Sequence, residues 1–208
     1  KVVLDDTMEN LKYHYLNKKI VEVKMKEMVN LDDEPGITIL KDKGYNPHLL
    51  TRGYGGEEEG PVQVSPGRDT AKYVGDESLL LVEKAPTWVA KNRPLGAQMA
   101  MDSGADIVVM DDGFQNPIIY KDFSIIVIDG KVGFGNRQLI PAGPLREDIE
   151  LGISRTQVLV IIGEDMVNTE EKLKRINPEL IILHASIVPS KNNIKVKHKK
   201  LAAFAGIG

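Results

Sequence analysis

Apolar positions along the chain fall into short runs separated by turn residues, and their period changes from place to place. Ile107–Met110, Ser124–Ile128 and Val158–Ile162 are continuous, rich in β-branched residues and bounded by residues such as Gly and Asp. Runs of this kind predict strands buried on both faces, as in a parallel sheet. Weaker strand signals lie at His48–Thr51, Leu79–Val82, Leu180–His184 and Leu201–Phe204. Between them the spacing turns helical. Pro94–Ser103 places Leu95, Met99 and Ala100 on one face, with Gly104 as a stop. Glu170–Ile176 follows Thr169 as a cap and precedes Pro178. Strands alternating with helices predict an α/β layer fold.

The first thirty residues follow another pattern. Thr7 is a candidate cap for a helix through Lys19, with Met8, Leu11 and Tyr15 on one stripe. Ile20–Val29 alternates Val21, Val23 and Met25 with Glu22, Lys24 and Lys26, the period of an exposed strand. The loop Gly53–Gly67 is rich in Gly, Glu and Pro, and no internal repeat breaks the chain into copies.

Composition narrows the class. The 208 residues suit one domain, or one and part of a second. Lys and Arg total 27 against 30 Asp and Glu, a net charge of −3 that argues against a general nucleic-acid binder. With no cysteine there is no disulfide framework, thiolate metal site or thiol nucleophile. No apolar run reaches the roughly 18 residues that span a bilayer, and no signal-peptide pattern appears. The chain starts at Lys1 and stops just after an apolar run, so both ends are expected to be cut.

Four segments carry candidate chemistry. In Ile107–Gln115 an apolar strand ends in Asp111 and Asp112, with Gly113 turning the chain away. Carboxylates at the carboxyl edge of a sheet sit where α/β proteins bind ligands, and such an Asp commonly holds Mg²⁺ beside a nucleotide. The alternative is a capping pair at a strand-to-loop turn. Thr51–Gly56 combines three glycines with Arg52, a fork for phosphate, and Tyr54, which can stack or hydrogen-bond; a flexible surface turn has the same composition. In Pro141–Glu147 two prolines and a glycine stiffen the approach to Arg146, which suits a guanidinium held against an anionic transition state, or a structural turn with a solvated Arg. Gly75–Ser78 sets Asp76 and Glu77 at the mouth of the Leu79–Val82 run, a source of a general base or only solvated flanking charge. The four histidines show no metal-ligand spacing, and His184, at the end of an apolar run, reads as structural.

In this order and spacing, TRGYGG (51–56), VGDESLLL (74–81), GADIVVMDDGFQNP (104–117) and KDFSIIVIDGKVGFGNRQLIPAGPLRE (121–147) resemble the tetraacyldisaccharide 4'-kinase family of lipid A biosynthesis. The ending LAAFAGIG (201–208) resembles the strand leading into that family's second domain. The resemblance runs from about Gly44 to Gly208 and implies a P-loop-kinase-like layered α/β fold with a mostly parallel sheet and a truncated second domain. It divides the chain into a divergent segment (1–30), a kinase-like domain (31–200) and the start of the second domain (201–208). It implies transfer of the ATP γ-phosphate, with Mg²⁺, to the 4'-hydroxyl of tetraacyldisaccharide 1-phosphate, at the cytoplasmic face of the bacterial inner membrane. The partner is then a lipid substrate, with peripheral membrane contact and no nucleic acid. By position Asp76 matches the catalytic base, and Asp111 and Asp112 match the carboxylates of Mg²⁺ and catalysis. Gln115 and Arg146 match groups near the phosphates, and Arg52 and Tyr54 match loop residues beside substrate.

The family pattern is also broken. Phosphoryl transfer of this kind uses a glycine-rich loop ending in Gly-Lys-Ser/Thr, whose N–H groups and Lys hold the phosphates. Here the one Gly-Lys pair, Gly130-Lys131, is followed by Val132. The interval where the loop belongs, between Leu31 and Lys43, is shorter by about nine residues and carries Asp32, Asp33 and Glu34, which repel a triphosphate. The chain is also expected to lack the family's apolar N-terminal anchor and its second domain, whose His pairs with the position matched by Asp76. Ser78 stands where the family has Pro, and Asn116 where it often has His. Impaired transfer is the expectation, and a non-catalytic remnant binding an acylated saccharide or a protein is the alternative. The five lysines of Lys191–Lys200 guard an edge strand or meet an anionic surface at about 1 kcal/mol each.

Overall fold

The structure, a computed structural model, describes residues 2–4 and 35–187. The readings for Thr7–Lys19, Ile20–Val29, Lys191–Lys200 and Leu201–Phe204, and the boundaries of the segments 1–30 and 201–208, lie outside the described residues.

The apolar runs at 48–51 and 107–110 pair with each other. Strand β2 (Pro47–Thr51) lies parallel between β4 (Thr87–Val89) and β5 (Ile107–Met110), and β3 (Val62–Gln63) adds antiparallel to β4. A second sheet runs β1 (Val2–Leu4), β8 (Ile181–Ile187), β7 (Val158–Ile162), β6 (Ile125–Asp129), with β6, β7 and β8 parallel and β1 antiparallel at the edge. The mostly parallel α/β architecture is thus present, divided between two four-stranded sheets. Among the described residues, no helix is long and apolar enough to cross a membrane.

Burial on both faces holds for the strands inside a sheet. In β7, Val158, Leu159 and Ile161 are buried. It does not hold for β6, where Ile128 is buried but Ile125 and Val127 are 54% and 57% exposed. β6 stands at the edge of its sheet, where one face and one backbone edge lack a neighbour.

Helices cover the sheets. The first sheet is packed by α1 (Pro35–Asp42), α3 (Asp76–Leu81) and α4 (Arg93–Asp102), with the short α2 (Ala71–Val74) leading into α3. The second is packed by α5 (Ile149–Ser154) and α6 (Thr169–Ile176), whose Ile149, Ile153 and Leu173 join Leu159, Ile161 and Leu180 in one core. Three sequence expectations change here. Leu79–Val82 is not a strand: Leu79–Leu81 complete α3, and Val82 is its C-cap. An apolar run this short suits helix or strand, and the turn at Gly75, the acidic first turn and the buried pair Ser78 and Leu81 at a spacing of three select the helix. In α4 the buried stripe is Arg93, Gly96 and Ala100, while Leu95 and Met99 face outward. Close approach decides this, because a Cβ at Gly96 would lie 2.6 Å from the Ala90 Cβ and 2.8 Å from the Leu50 Cδ1. Finally, Thr169 does not cap α6. Asn168 holds that position, and the Asp165 carboxylate accepts the Thr169 and Glu170 N–H groups, each at 2.9 Å.

Candidate active site

The carboxyl end of β5 sets the frame. Leu50 and Met110 are register partners, and the Asp111 N–H extends the ladder by donating to the Leu50 carbonyl at 3.1 Å. Asp112 then turns left-handed, with φ 46°, a conformation that Asp tolerates better than most residues. Beneath this turn lies Arg93, only 6% exposed. Its guanidinium donates to the Leu50 carbonyl at 2.9 Å and to the Asp111 carbonyl at 3.4 Å, tying the ends of β2 and β5 together. Burial lowers its pKa from the ordinary arginine value, Asp111 and Asp112 oppose that shift, and Arg52 adds to it. Arginine holds its proton through such a shift. A buried positive charge therefore underlies the acidic strand end.

A second turn brings more acid. Gly75 has φ 86°, and a Cβ there would lie 2.6 Å from the Tyr54 carbonyl oxygen. At Gly53 a Cβ would meet Val89 at 2.5 Å and the Val74 carbonyl at 2.9 Å. Gly53 and Gly56 thus serve close packing against the α2–α3 turn, where a Cβ at Gly56 would lie 2.6 Å from the Gly75 nitrogen. Glu57 and Glu58 N–H groups close the contact on the carbonyls of Lys72 and Tyr73, at 3.0 and 2.9 Å. This packing delivers Asp76 and Glu77 in the first turn of α3, where acidic residues favour the helix dipole. Glu77 has its pKa raised above the ordinary carboxylate value, first by burial and then by the negative charges of Asp111, Asp76 and Asp112. Four carboxylates from two separate chain segments therefore share one field.

Arg146 arrives from the second sheet. Leu145 packs on that sheet's core and is pinned through the Ile140 N–H to its carbonyl at 2.9 Å and its own N–H to the Gln138 carbonyl at 3.1 Å. Asn136 clamps the same loop by donating to the Ala142 carbonyl at 2.8 Å and accepting the Gln138 N–H at 3.1 Å. With its neighbour fixed, Arg146 donates to both Asp112 oxygens at 2.8 Å, and Asp112 raises the guanidinium pKa. The stiff loop foreseen from Pro141–Glu147 does hold a guanidinium, and it holds it on a carboxylate.

The expected residues mostly converge. Glu77, next to Asp76, feels the charges of Asp111 and Asp112, Arg146 pairs with Asp112, and Arg52 lies within electrostatic reach of Arg93. Tyr54 is 83% exposed beside the α3 turn. Gln115 does not point its amide at the carboxylates; it donates to Glu147 at 3.0 Å. Asp76 and Glu77 lie in a helix turn and not at a strand mouth, for the reasons given for α3. Sequence reasoning missed Arg93, Glu147 and the specific weight of Glu77. Of these, the adjacent pair Asp76-Glu77 was the one visible signal.

The donor chemistry suits a hard cation such as Mg²⁺, which takes oxygen ligands and is commonly held by one or two carboxylates plus phosphate and water. Among the described residues no three acidic or imidazole side chains converge as a ready-made cage. The residues that would hold such an ion, shared with phosphate, are Asp111 and Asp112.

Known proteins resemble this chain. The family model described as Tetraacyldisaccharide-1-P 4'-kinase matches residues 37–208. The tetraacyldisaccharide 4'-kinase of Gluconobacter oxydans is 45% identical over 169 residues, which is 81% of this chain and 51% of that protein. Its namesake in Paramagnetospirillum magneticum is 48% identical over 165 residues, 79% of this chain and 50% of that one. Among solved structures, an apo form of LpxK from Aquifex aeolicus in complex with ATP aligns with a TM-score of 0.53 at 25% identity, over 64% of this chain and 44% of that one. The chain spans about half the length of the curated relatives it matches. On the family match over 37–208, this chain is a member of the tetraacyldisaccharide 4'-kinase family.

Proposed function

We propose that this chain carries the acidic edge of a lipid A 4'-kinase, which moves the γ-phosphate of ATP to the 4'-hydroxyl of tetraacyldisaccharide 1-phosphate. The observation that carries the reading is the shared field of Asp76, Glu77, Asp111 and Asp112 with Arg146 seated on Asp112. Asp76 accepts the proton of the attacking hydroxyl, as a general base in the first turn of α3. Asp111 and Asp112 would hold Mg²⁺, which supplies charge neutralisation on phosphate oxygens when bound. Arg146 offers positive charge to the transferring phosphoryl group once it leaves Asp112, and Gln115, released from Glu147, supplies a further polar contact near the phosphates. Arg52 and Tyr54 face the lipid headgroup and phosphates from the opposite loop. In this reading residues 31–200 form the kinase-like domain, and membrane contact is peripheral, on the cytoplasmic face of the inner membrane.

The sequence between Leu31 and Lys43 holds no Gly-Lys-Ser/Thr, so phosphate affinity is weak and transfer is impaired. That same feature favours a second reading, a non-catalytic chain that binds an acylated saccharide or a protein. Titration calorimetry with Mg-ATP and, separately, with the disaccharide 1-phosphate tests both. The expected ATP Kd is about 1 mM or weaker, and insertion of a glycine-rich Gly-Lys-Thr loop between Leu31 and Gly36 tightens it at least about tenfold. Phosphate transfer to the disaccharide by the loop-bearing chain supports the kinase reading. Lipid binding without transfer, even with that loop, overturns it in favour of the second.

A further inference from the structure

Behind the acidic edge, Arg155 sits at the end of α5 and touches both loops that form the site. Its guanidinium carbon lies 4.3 Å from the Phe114 ring centroid, a cation–π stack. The same group reaches both Glu147 oxygens, at 2.7 and 2.6 Å, and donates to the Leu151 carbonyl at 3.2 Å. Glu147 in turn accepts from the Gln115 amide at 3.0 Å. Gly152 lies beside both groups, where a Cβ would sit in ordinary van der Waals contact, 3.7 Å from the Phe114 ring and from the Glu147 carboxyl carbon.

The connections have a clear consequence. Phe114 and Gln115 follow Asp111 and Asp112 in the loop leaving β5, and Glu147 follows Arg146 in the loop from the second sheet. One planar cation therefore ties the two loops whose side chains meet in the Arg146–Asp112 pair. A single exposed ion pair contributes little, about 0–1 kcal/mol, so the value of this contact is registration and not bulk stability.

We propose that Arg155 is a positioning residue that keeps Arg146 in register with Asp112 by clamping Phe114 and Glu147. The functional meaning rests on the kinase reading, but the coupling itself is measured without nucleotide, so the two can fail separately. Amide hydrogen exchange is compared in the wild-type chain, Arg155→Lys and Arg155→Met. Lysine keeps one charge beside Glu147 but has neither the fork nor the flat face. In both variants exchange in segments 111–117 and 144–148 rises about tenfold or more, while β7 and β8 keep their protection and Arg155→Lys keeps a near-wild-type Tm. Phe114→Leu, which leaves the Glu147 contacts intact, loosens the same two segments and stands in should Arg155→Met fail to fold. Faster exchange confined to α5, or full restoration of both loops by lysine, would overturn the proposal, since either reduces Arg155 to a cap on its own helix.

Discussion

At Glu77, partial burial and the charges of Asp111, Asp76 and Asp112 all favour the protonated form. The folded chain then binds that proton more tightly than the unfolded chain, so its stabilising effect is present at low pH and is lost as pH rises through the folded value, above the ordinary 4.5. Glu77→Gln mimics the protonated group at every pH. Its Tm is expected to exceed that of the wild type at about pH 7.5 and to converge with it near about pH 4. Thermal unfolding followed by circular dichroism at both values decides it; a pH-independent difference would mean that the carboxylates do not share a field. The acidic strand end at Asp111 and Asp112 was legible because it terminates a clean apolar run. Arg93 was not, because nothing in its neighbours announces that the first residue of a helix turns inward beneath a sheet edge.

The elements show the same division. The strands at 107–110 and 158–162 lie where the hydrophobic runs place them, and α4 and α6 stand within a residue of their expected bounds. Errors came where a short apolar run had to choose its period, as at 79–82, and where a helix had to choose its buried stripe, as in α4. Both choices follow from contacts distant in sequence. The turn before α3 makes this measurable. Gly75→Ala combines a left-handed backbone with a Cβ 2.6 Å from the Tyr54 carbonyl, for an expected loss of about 2–3 kcal/mol. Gly55→Ala, at φ 77° with nothing within 4 Å, loses about 1 kcal/mol from the backbone alone. Urea denaturation of the two variants should separate them, and equal losses would remove the close approach of the 51–56 loop to this turn as the reason for its glycines.

Across the whole molecule, the two sheets carry separate cores. Ile37 packs with Leu49 and Leu81 under the first, and Ile161 packs with Leu159, Ile153 and Leu173 under the second. Ile37→Val and Ile161→Val should each cost about 0.5–1.5 kcal/mol, and the double variant should match their sum within about 0.5 kcal/mol. A larger interaction energy in denaturant titrations would mean that one core spans both sheets. Among the described residues, the contacts that link the two halves include Arg146 with Asp112, Gln115 with Glu147 and Arg155 with Phe114. The sequence by itself determined the main strands near 48–51, 107–110, 125–128, 158–162 and 181–184, the α/β class and the family, because periodicity and motif spacing are local along the chain. Only the tertiary structure decided that the strands divide between two sheets, that Glu77 comes into the field of Asp111 and that Gln115 turns to Glu147. Those are meetings between segments 30 or more residues apart, and no local pattern records which side chain a distant loop will deliver.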